Sequence, residues 1–204
     1  MDLFINRISE SISNFNASQL AILNATTCEK VLPIYSLFSK QESWGRLDFF
    51  EEALILQYQF IQNIEISRLD LEKVIEEIEN YSPDLDEFEN GLASYALDTS
   101  IIFIEALTFL KDGNINSAIN VASTSRDLVD MFVQEKNNFS PDDTLLELKI
   151  QADPSMKKEI ERQFSIISKI EKMKNITLKD IEEIRVLNLQ FGEIAEIEML
   201  TKMY

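Results

Sequence analysis

Residues 92–110 read LASYALDTSIIFIEALTFL and form the most apolar segment of the chain. With 3.6 residues per turn, apolar side chains point in nearly every direction, which is typical of a helix buried on all sides. The sequence Lys111-Asp112-Gly113-Asn114 then combines a helix stop with a helix start. Gly113 can adopt the left-handed conformation after one helix, and Asn114 can cap the next. The segment therefore predicts a central helix followed by a tight turn.

Helical spacing continues through the rest of the chain. Leu71, Val74, Ile75 and Ile78 follow the i, i+3, i+4, i+7 pattern of one helix face. Gly and Pro occur only four times each, too few for a turn-rich β-protein. We predict a single all-α domain over residues 1–204, a multi-helix bundle around a buried central helix at about 92–110. The predicted helices cover residues 2–14, 17–31, 34–41, 46–63, 68–80, 83–89, 92–110, 114–136, 141–150, 155–173 and 177–201.

Several of these helices have recognisable start signals. Ser82-Pro83, Ser140-Pro141 and Asp153-Pro154 each place a capping side chain before proline, which is favoured at the first helical position. Thr177 followed by Asp180 resembles a capping box. These signals predict helix starts at all four places.

The composition argues against most enzyme classes. The chain contains no histidine and one cysteine, which removes histidine-based nucleophilic systems, histidine-liganded zinc and iron–sulfur sites. Its four glycines are isolated, so the usual nucleotide-phosphate loops are absent. We therefore predict a protein that is not an enzyme and needs no cofactor or metal.

The charge and the cysteine content suggest which partners and compartment to expect. A net charge of −17 disfavours nucleic acids and anionic membranes, and it attracts basic proteins. Cys28 cannot form a disulfide within the chain, which suits a reducing compartment. The first residues lack the features of a signal peptide, and no unbroken apolar run reaches the about 18 residues of a membrane helix. We expect a cytoplasmic protein that binds neither nucleic acid nor membrane.

The acidic residues are concentrated in one part of the sequence. Residues 65–105 hold twelve acidic and two basic residues, a balance of −10, whereas residues 153–174 are slightly basic. A solvated helix face explains such a run, and a docking surface for a basic protein is the sharper hypothesis. The predicted partner-binding residues are Glu76, Glu77, Glu79, Asp84, Asp86, Glu87 and Glu89.

Three charged residues interrupt the apolar central hairpin. Asp98 and Glu105 lie on one face of the central helix, and Arg126 lies at the edge of the next helix's apolar arc. Because the two helices should be antiparallel, we predict a partly buried ion pair between Arg126 and one of these carboxylates that fixes the helix register. The alternative is a polar ligand pocket.

Four segments of the chain carry a likeness to known proteins. They are Leu32-Pro33-Ile34-Tyr35-Ser36-Leu37-Phe38, Tyr95-Ala96-Leu97-Asp98-Thr99-Ser100, residues 118–125, and Asp153-Pro154 ahead of Glu159 and Glu161. In these segments the chain resembles the YjaG-like family of bacterial proteins of unknown function. The sequence departs from the family pattern at Leu32 and Ser100. The resemblance implies a compact helical protein that often self-associates, and it implies no activity.

Three function classes stay open at this point. The first is a non-catalytic protein that binds a basic partner, for example an immunity protein that neutralises a nuclease-like toxin. The second is a self-associating structural helical protein, such as a homodimer. The third is a carboxylate-based metal-dependent hydrolase.

Overall fold

The computed structural model describes residues 3–204, and every regular element in that part of the chain is an α-helix. The predicted all-α fold class is therefore confirmed. The ten helices between these residues are α1 (Leu3–Ile12), α2 (Ala17–Glu42), α3 (Leu47–Ile61), α4 (Arg68–Asn80), α5 (Leu92–Asp112), α6 (Ile115–Asn137), α7 (Leu146–Ala152), α8 (Pro154–Ile170), α9 (Leu178–Gln190) and α10 (Ile197–Met203).

Helix α5 lies at the centre of the bundle, as predicted. It packs against α2, α3, α4 and α6, and it buries Tyr95, Ile102, Phe103 and Phe109. Within residues 3–204, α5 is the one helix long and apolar enough to cross a membrane, yet most of that stretch is buried inside the fold. Its apolar composition is accounted for by its place in the core.

The turn after α5 has the predicted geometry. Gly113 adopts φ 70°, and its N–H donates to the Phe109 carbonyl at 2.8 Å. The Asn114 side chain then accepts from the amide of Asn116 and caps α6. A glycine suits this position because other residues pay a steric penalty at positive φ. Helix α6 consequently returns alongside α5.

Helix α2 is continuous through Pro33, although the sequence predicted two helices separated there. An internal proline removes one backbone hydrogen bond and costs about 3 kcal/mol. Pro33 itself is exposed, whereas Val31, Ile34 and Phe38 on either side of it are buried. Each buried side chain of this size contributes about 1.5–3 kcal/mol, so burial of both halves offsets the defect.

Two of the predicted helix starts are confirmed in detail. The Asp153 side chain accepts from the Ser155 amide at 2.8 Å, with Pro154 in the first turn of α8. Thr177 and Asp180 form the reciprocal capping box of α9. Caps of this kind are each worth about 1 kcal/mol.

The other two start signals produce turns instead. The segment predicted as a helix over 83–89 contains one turn and irregular backbone, and α7 begins at Leu146 rather than at residue 141. Before α7, the Ser140 hydroxyl accepts from Asp142, and the Asp143 carboxylate accepts from Leu145. These short-range bonds satisfy the backbone without a helix.

The predicted last helix, 177–201, is divided in the structure. Helix α9 ends at Gln190, Gly192 adopts φ 65°, and α10 begins at Ile197. The remaining predicted helices agree within three residues at each end, with residue 2 of the first one outside the described residues.

Candidate protein-binding surface

The predicted partner-binding carboxylates lie on the outside of the bundle. Six of the seven side chains are exposed, and Glu77 is half-buried. None of them forms an ion pair with any residue between Leu3 and Tyr204. We call this set the acidic surface: Glu76, Glu77, Glu79, Asp84, Asp86, Glu87 and Glu89.

Helix α4 positions the first part of the acidic surface. One face of α4 buries Leu71, Val74, Ile75 and Ile78, and the helix packs against α3 and α5. Since residues three and four apart share a face, this burial leaves the glutamates of the last two turns directed outward. The amphipathic pattern thus fixes which side of α4 is acidic.

The second part of the acidic surface lies on the segment 81–91, which includes residues 83–89, predicted from the sequence to be a helix. The Ser82 hydroxyl donates to the Ile78 carbonyl at 2.8 Å, so it bonds back to α4 instead of capping a new helix. Asp84 accepts from the Asp86 amide through its carboxylate and from the Glu87 amide through its carbonyl, both at 3.0 Å. A side chain that closes a turn in this way competes with helix formation.

Aromatic rings hold this segment against the bundle. The Phe88 ring centroid lies 5.1 Å from those of Phe38 and Trp44, and Trp44 lies 5.9 Å from Tyr81. The Tyr35 hydroxyl donates to the Tyr81 carbonyl at 2.7 Å. We call Phe38, Trp44, Tyr81 and Phe88 the aromatic clamp. Because such edge-to-face contacts add to burial energy, the carboxylates are carried by an ordered segment.

An apolar side chain stands among the carboxylates. Leu85, between Asp84 and Asp86, is 47% exposed. Binding energy at protein interfaces is concentrated in a few central side chains surrounded by a polar rim. The acidic surface therefore combines charge with one apolar contact point.

The predicted register ion pair is wrong. The Arg126 guanidinium donates to the neighbouring Asp127 at 2.7 and 3.1 Å, and it lies 5.0 Å from the Phe4 ring centroid. Among the described residues, neither Asp98 nor Glu105 forms an ion pair. Arg126 faces α1 instead of α5. Neighbouring residues on a helix point about 100° apart, so a one-residue error in predicting which side chain faces α5 is enough to lose the pair.

The residues that meet across the α5–α6 hairpin are neighbours of those predicted. Glu105 accepts from the Asn120 side chain at 3.0 Å. Asp98 lies near Asp127, a like charge, and burial together with this charge raises the pKa of Asp98 to about 6. The charged neighbour of Asp98 on α6 is therefore Asp127, one residue after the predicted Arg126.

The main buried ion pair lies elsewhere, on α8. Arg162 and Glu159 are 1% and 2% exposed, and two guanidinium nitrogens reach the carboxylate at 2.6 Å. Ser125 and Gln163 also donate to Glu159, at 2.8 and 2.7 Å, and Arg162 donates to Asn188. In the sequence these two charges look like ordinary surface residues three positions apart. Only the burial of their helix face distinguishes them.

The third function class, a carboxylate-based metal-dependent hydrolase, would need a cluster of metal-binding side chains. No group of three or more Cys, Asp or Glu side chains among them is placed to hold a metal ion. Cys28 is buried, and burial raises the pKa of its thiol to about 12. Thiolate chemistry at Cys28 is therefore unfavourable at neutral pH.

Comparisons with known proteins agree on one family. The family model described as "Protein of unknown function (DUF416)" matches residues 7–193. A crystal structure of a DUF416 family protein from Shewanella baltica OS155 superposes with a TM-score of 0.80 at 20% identity, covering 94% of this chain and 95% of that one. No curated protein matches the chain. The structural likeness shows the shared fold, and the family match over most of the sequence shows that the chain belongs to the DUF416 family of proteins of unknown function.

Proposed function

We propose that this protein is a non-catalytic binding protein whose acidic surface docks a basic protein. One concrete form is an immunity-type protein that neutralises a basic, nuclease-like toxin by presenting carboxylates where the toxin expects phosphates. The observation that carries the proposal is a set of exposed carboxylates without ion-pair partners in residues 3–204, held on a segment that the aromatic clamp keeps in place.

The arrangement suits rapid association with a cation-rich surface. Exposed charges of one sign steer an oppositely charged partner, and the effect weakens as salt shortens the Debye length from about 10 Å at 0.1 M to about 3 Å at 1 M. A net charge of −17 strengthens the steering and opposes nucleic acid or anionic membrane as the partner. Leu85 supplies an apolar contact inside the charged area.

The test compares two variants with the same change in net charge. One replaces Asp84, Asp86, Glu87 and Glu89 with lysine. The control replaces four exposed glutamates outside the acidic surface with lysine: Glu10, Glu51, Glu52 and Glu198. Proteins captured from the native host by the wild type are purified, and their association rates are measured at 0.05–0.5 M salt, a range chosen around the Debye estimate.

We expect the acidic-surface variant to associate at least about tenfold more slowly than the control at low salt, with a flatter salt dependence. Circular dichroism checks that both variants are folded. A captured partner that binds both variants at equal rates would refute the docking surface. For the immunity-type form, co-expression must restore growth to cells that carry the captured protein.

Self-association is the alternative that the sequence left open. Sedimentation of the purified protein measures its oligomeric state, and the capture experiment asks whether it has a partner. A homodimer that captures no partner supports a structural role. We also propose the likeness to YjaG-like proteins and a cytoplasmic location. The location rests on the single buried cysteine, Cys28.

A further inference from the structure

Lys30 on α2 is a buried cation with unused donors. It is 8% exposed, and its ammonium group donates to the carbonyl of Gly192. An ammonium group carries three N–H donors, and in the described part of the chain no other acceptor and no ion-pair carboxylate is bonded to Lys30. Buried charges are normally paired, so this group lacks a counter-ion.

The carboxylates near Lys30 already have partners. Glu159 is bonded to Arg162, and Glu29 forms an ion pair with Arg185 at 2.8 Å. Burial and then the positive charge of Arg162 lower the pKa of Lys30 to about 8. Glu159 and Glu29 favour the charged form of Lys30, but they do not offset burial and the neighbouring positive charges.

Lys30 lines a groove of about 870 Å³ between α2 and α9, with α3 at one side. Leu32 and Pro33 contribute apolar surface from α2, and Leu54 does so from α3. Val186 and Leu189 line the α9 side and are 56% and 73% exposed, which is unusual for two large apolar side chains on one helix face. Grooves with apolar walls and a few convergent polar groups are typical of small-molecule sites.

We infer that this groove binds an amphiphilic monocarboxylate, with the carboxylate at Lys30 and the apolar body along Val186, Leu189 and Leu54. The ligand carboxylate would supply the counter-ion that Lys30 lacks, in a partly desolvated place where charge-assisted hydrogen bonds are strong. The apolar tail would cover exposed side chains on α2 and α9 and the half-buried Leu54 on α3.

The charges at the groove set a limit on the ligand. Glu29, Glu182, Glu193 and Arg185 also line it, and Arg185 is paired with Glu29. A second negative charge on the ligand would therefore meet the unpaired carboxylates of Glu182 and Glu193, with no free cation among the described groove residues to balance it. The groove thus favours a singly charged, chain-like anion over a phosphate or a dicarboxylate. Its volume lies in the about 300–1,000 Å³ range of ligand pockets, which suits a medium-length acyl chain.

Decanoate is the probe, and decanol is its uncharged match. Calorimetric titration at pH 7 should show decanoate binding at least about tenfold more tightly than decanol, and Lys30→Met should remove that preference. The preference should also decline as pH rises above about 8, because Lys30 then loses its charge. The ionisable groups around Lys30 and the groove are Glu29, Arg185, Lys158, Glu159, Arg162, Glu182 and Glu193.

A second pair of variants tests the apolar wall independently of Lys30. Val186→Asp should weaken decanoate binding at least about tenfold, whereas Leu178→Asp, on the same helix and outside the groove, should leave it unchanged. Both positions are exposed, so both variants should fold, and they keep the test decisive if Lys30→Met unfolds. Equal affinity for decanoate and decanol in the wild type would overturn the inference. So would equal binding by the two aspartate variants.

Discussion

The buried Arg162–Glu159 pair makes the strongest prediction about stability. Replacing Arg162 with methionine keeps most of the side-chain volume and removes the charge. Glu159 then loses both guanidinium bonds at 2.6 Å while remaining 2% exposed. Hydrogen bonds to charged groups contribute about 1.5–3 kcal/mol each, and Ser125 and Gln163 still donate to the carboxylate. We therefore expect the free energy of unfolding to fall by about 3–5 kcal/mol.

The assay is urea denaturation followed by far-ultraviolet circular dichroism at pH 7. A matched control is Arg68→Met, which breaks the exposed Arg68–Glu72 pair and should cost less than about 1 kcal/mol. Adding Glu159→Gln to Arg162→Met should recover at least about 1 kcal/mol, because no charge is then left buried.

Two results would contradict this reasoning. A loss below about 1 kcal/mol for Arg162→Met would mean that water reaches Glu159 and that the pair is not buried in solution. If the double variant Arg162→Met, Glu159→Gln is less stable than Arg162→Met alone, the Glu159 carboxylate left in the single variant is not a destabilising buried charge.

Two further predictions concern a titrating carboxyl group and a strained turn. Because the pKa of Asp98 is raised to about 6 in the fold, its contribution to the free energy of unfolding should decline as pH rises from about 4 to about 6. In pH-dependent urea titrations, the stability of the wild type relative to Asp98→Asn should therefore fall over this range. Gly45→Ala should lower the free energy of unfolding by about 1–3 kcal/mol, since Gly45 has φ 92° and a Cβ would lie 2.6 Å from the Tyr35 hydroxyl. Thermal denaturation should show a smaller loss for Gly192→Ala, which shares the positive φ and has no atom within 4 Å of its added Cβ.

Much of the fold was predictable because its signals are local. The apolar segment 92–110 and the Gly113-Asn114 turn each act within a few residues, so the sequence identifies α5 and its connection to α6. Pro33 was misjudged because the burial that keeps α2 continuous comes from distant helices. The proline signal is local, and the compensation for it is not.

The candidate sites also differ in whether the local sequence predicts them. Exposure of the acidic surface follows from amphipathic spacing on α4, which a sequence displays directly. The partner of Arg126 depends on which way one side chain faces, and a turn of about 100° per residue exceeds the precision of register estimates. The solitary position of Lys30 depends on Arg162 of α8 and Arg185 of α9, which pair with the nearby carboxylates Glu159 and Glu29 and lie more than a hundred residues away in sequence.

The aromatic clamp has an electrostatic consequence for the protein without a partner. It fixes Asp84, Asp86, Glu87 and Glu89 within one short segment, so these like charges cannot move apart to lower their mutual repulsion. In the free protein, repulsion among these four carboxylates therefore opposes the packing of the aromatic clamp. Added salt should relieve this repulsion and stabilise the unbound fold. A basic protein bound at the acidic surface, as we propose, would relieve it more completely and would make the complex harder to unfold than the protein alone.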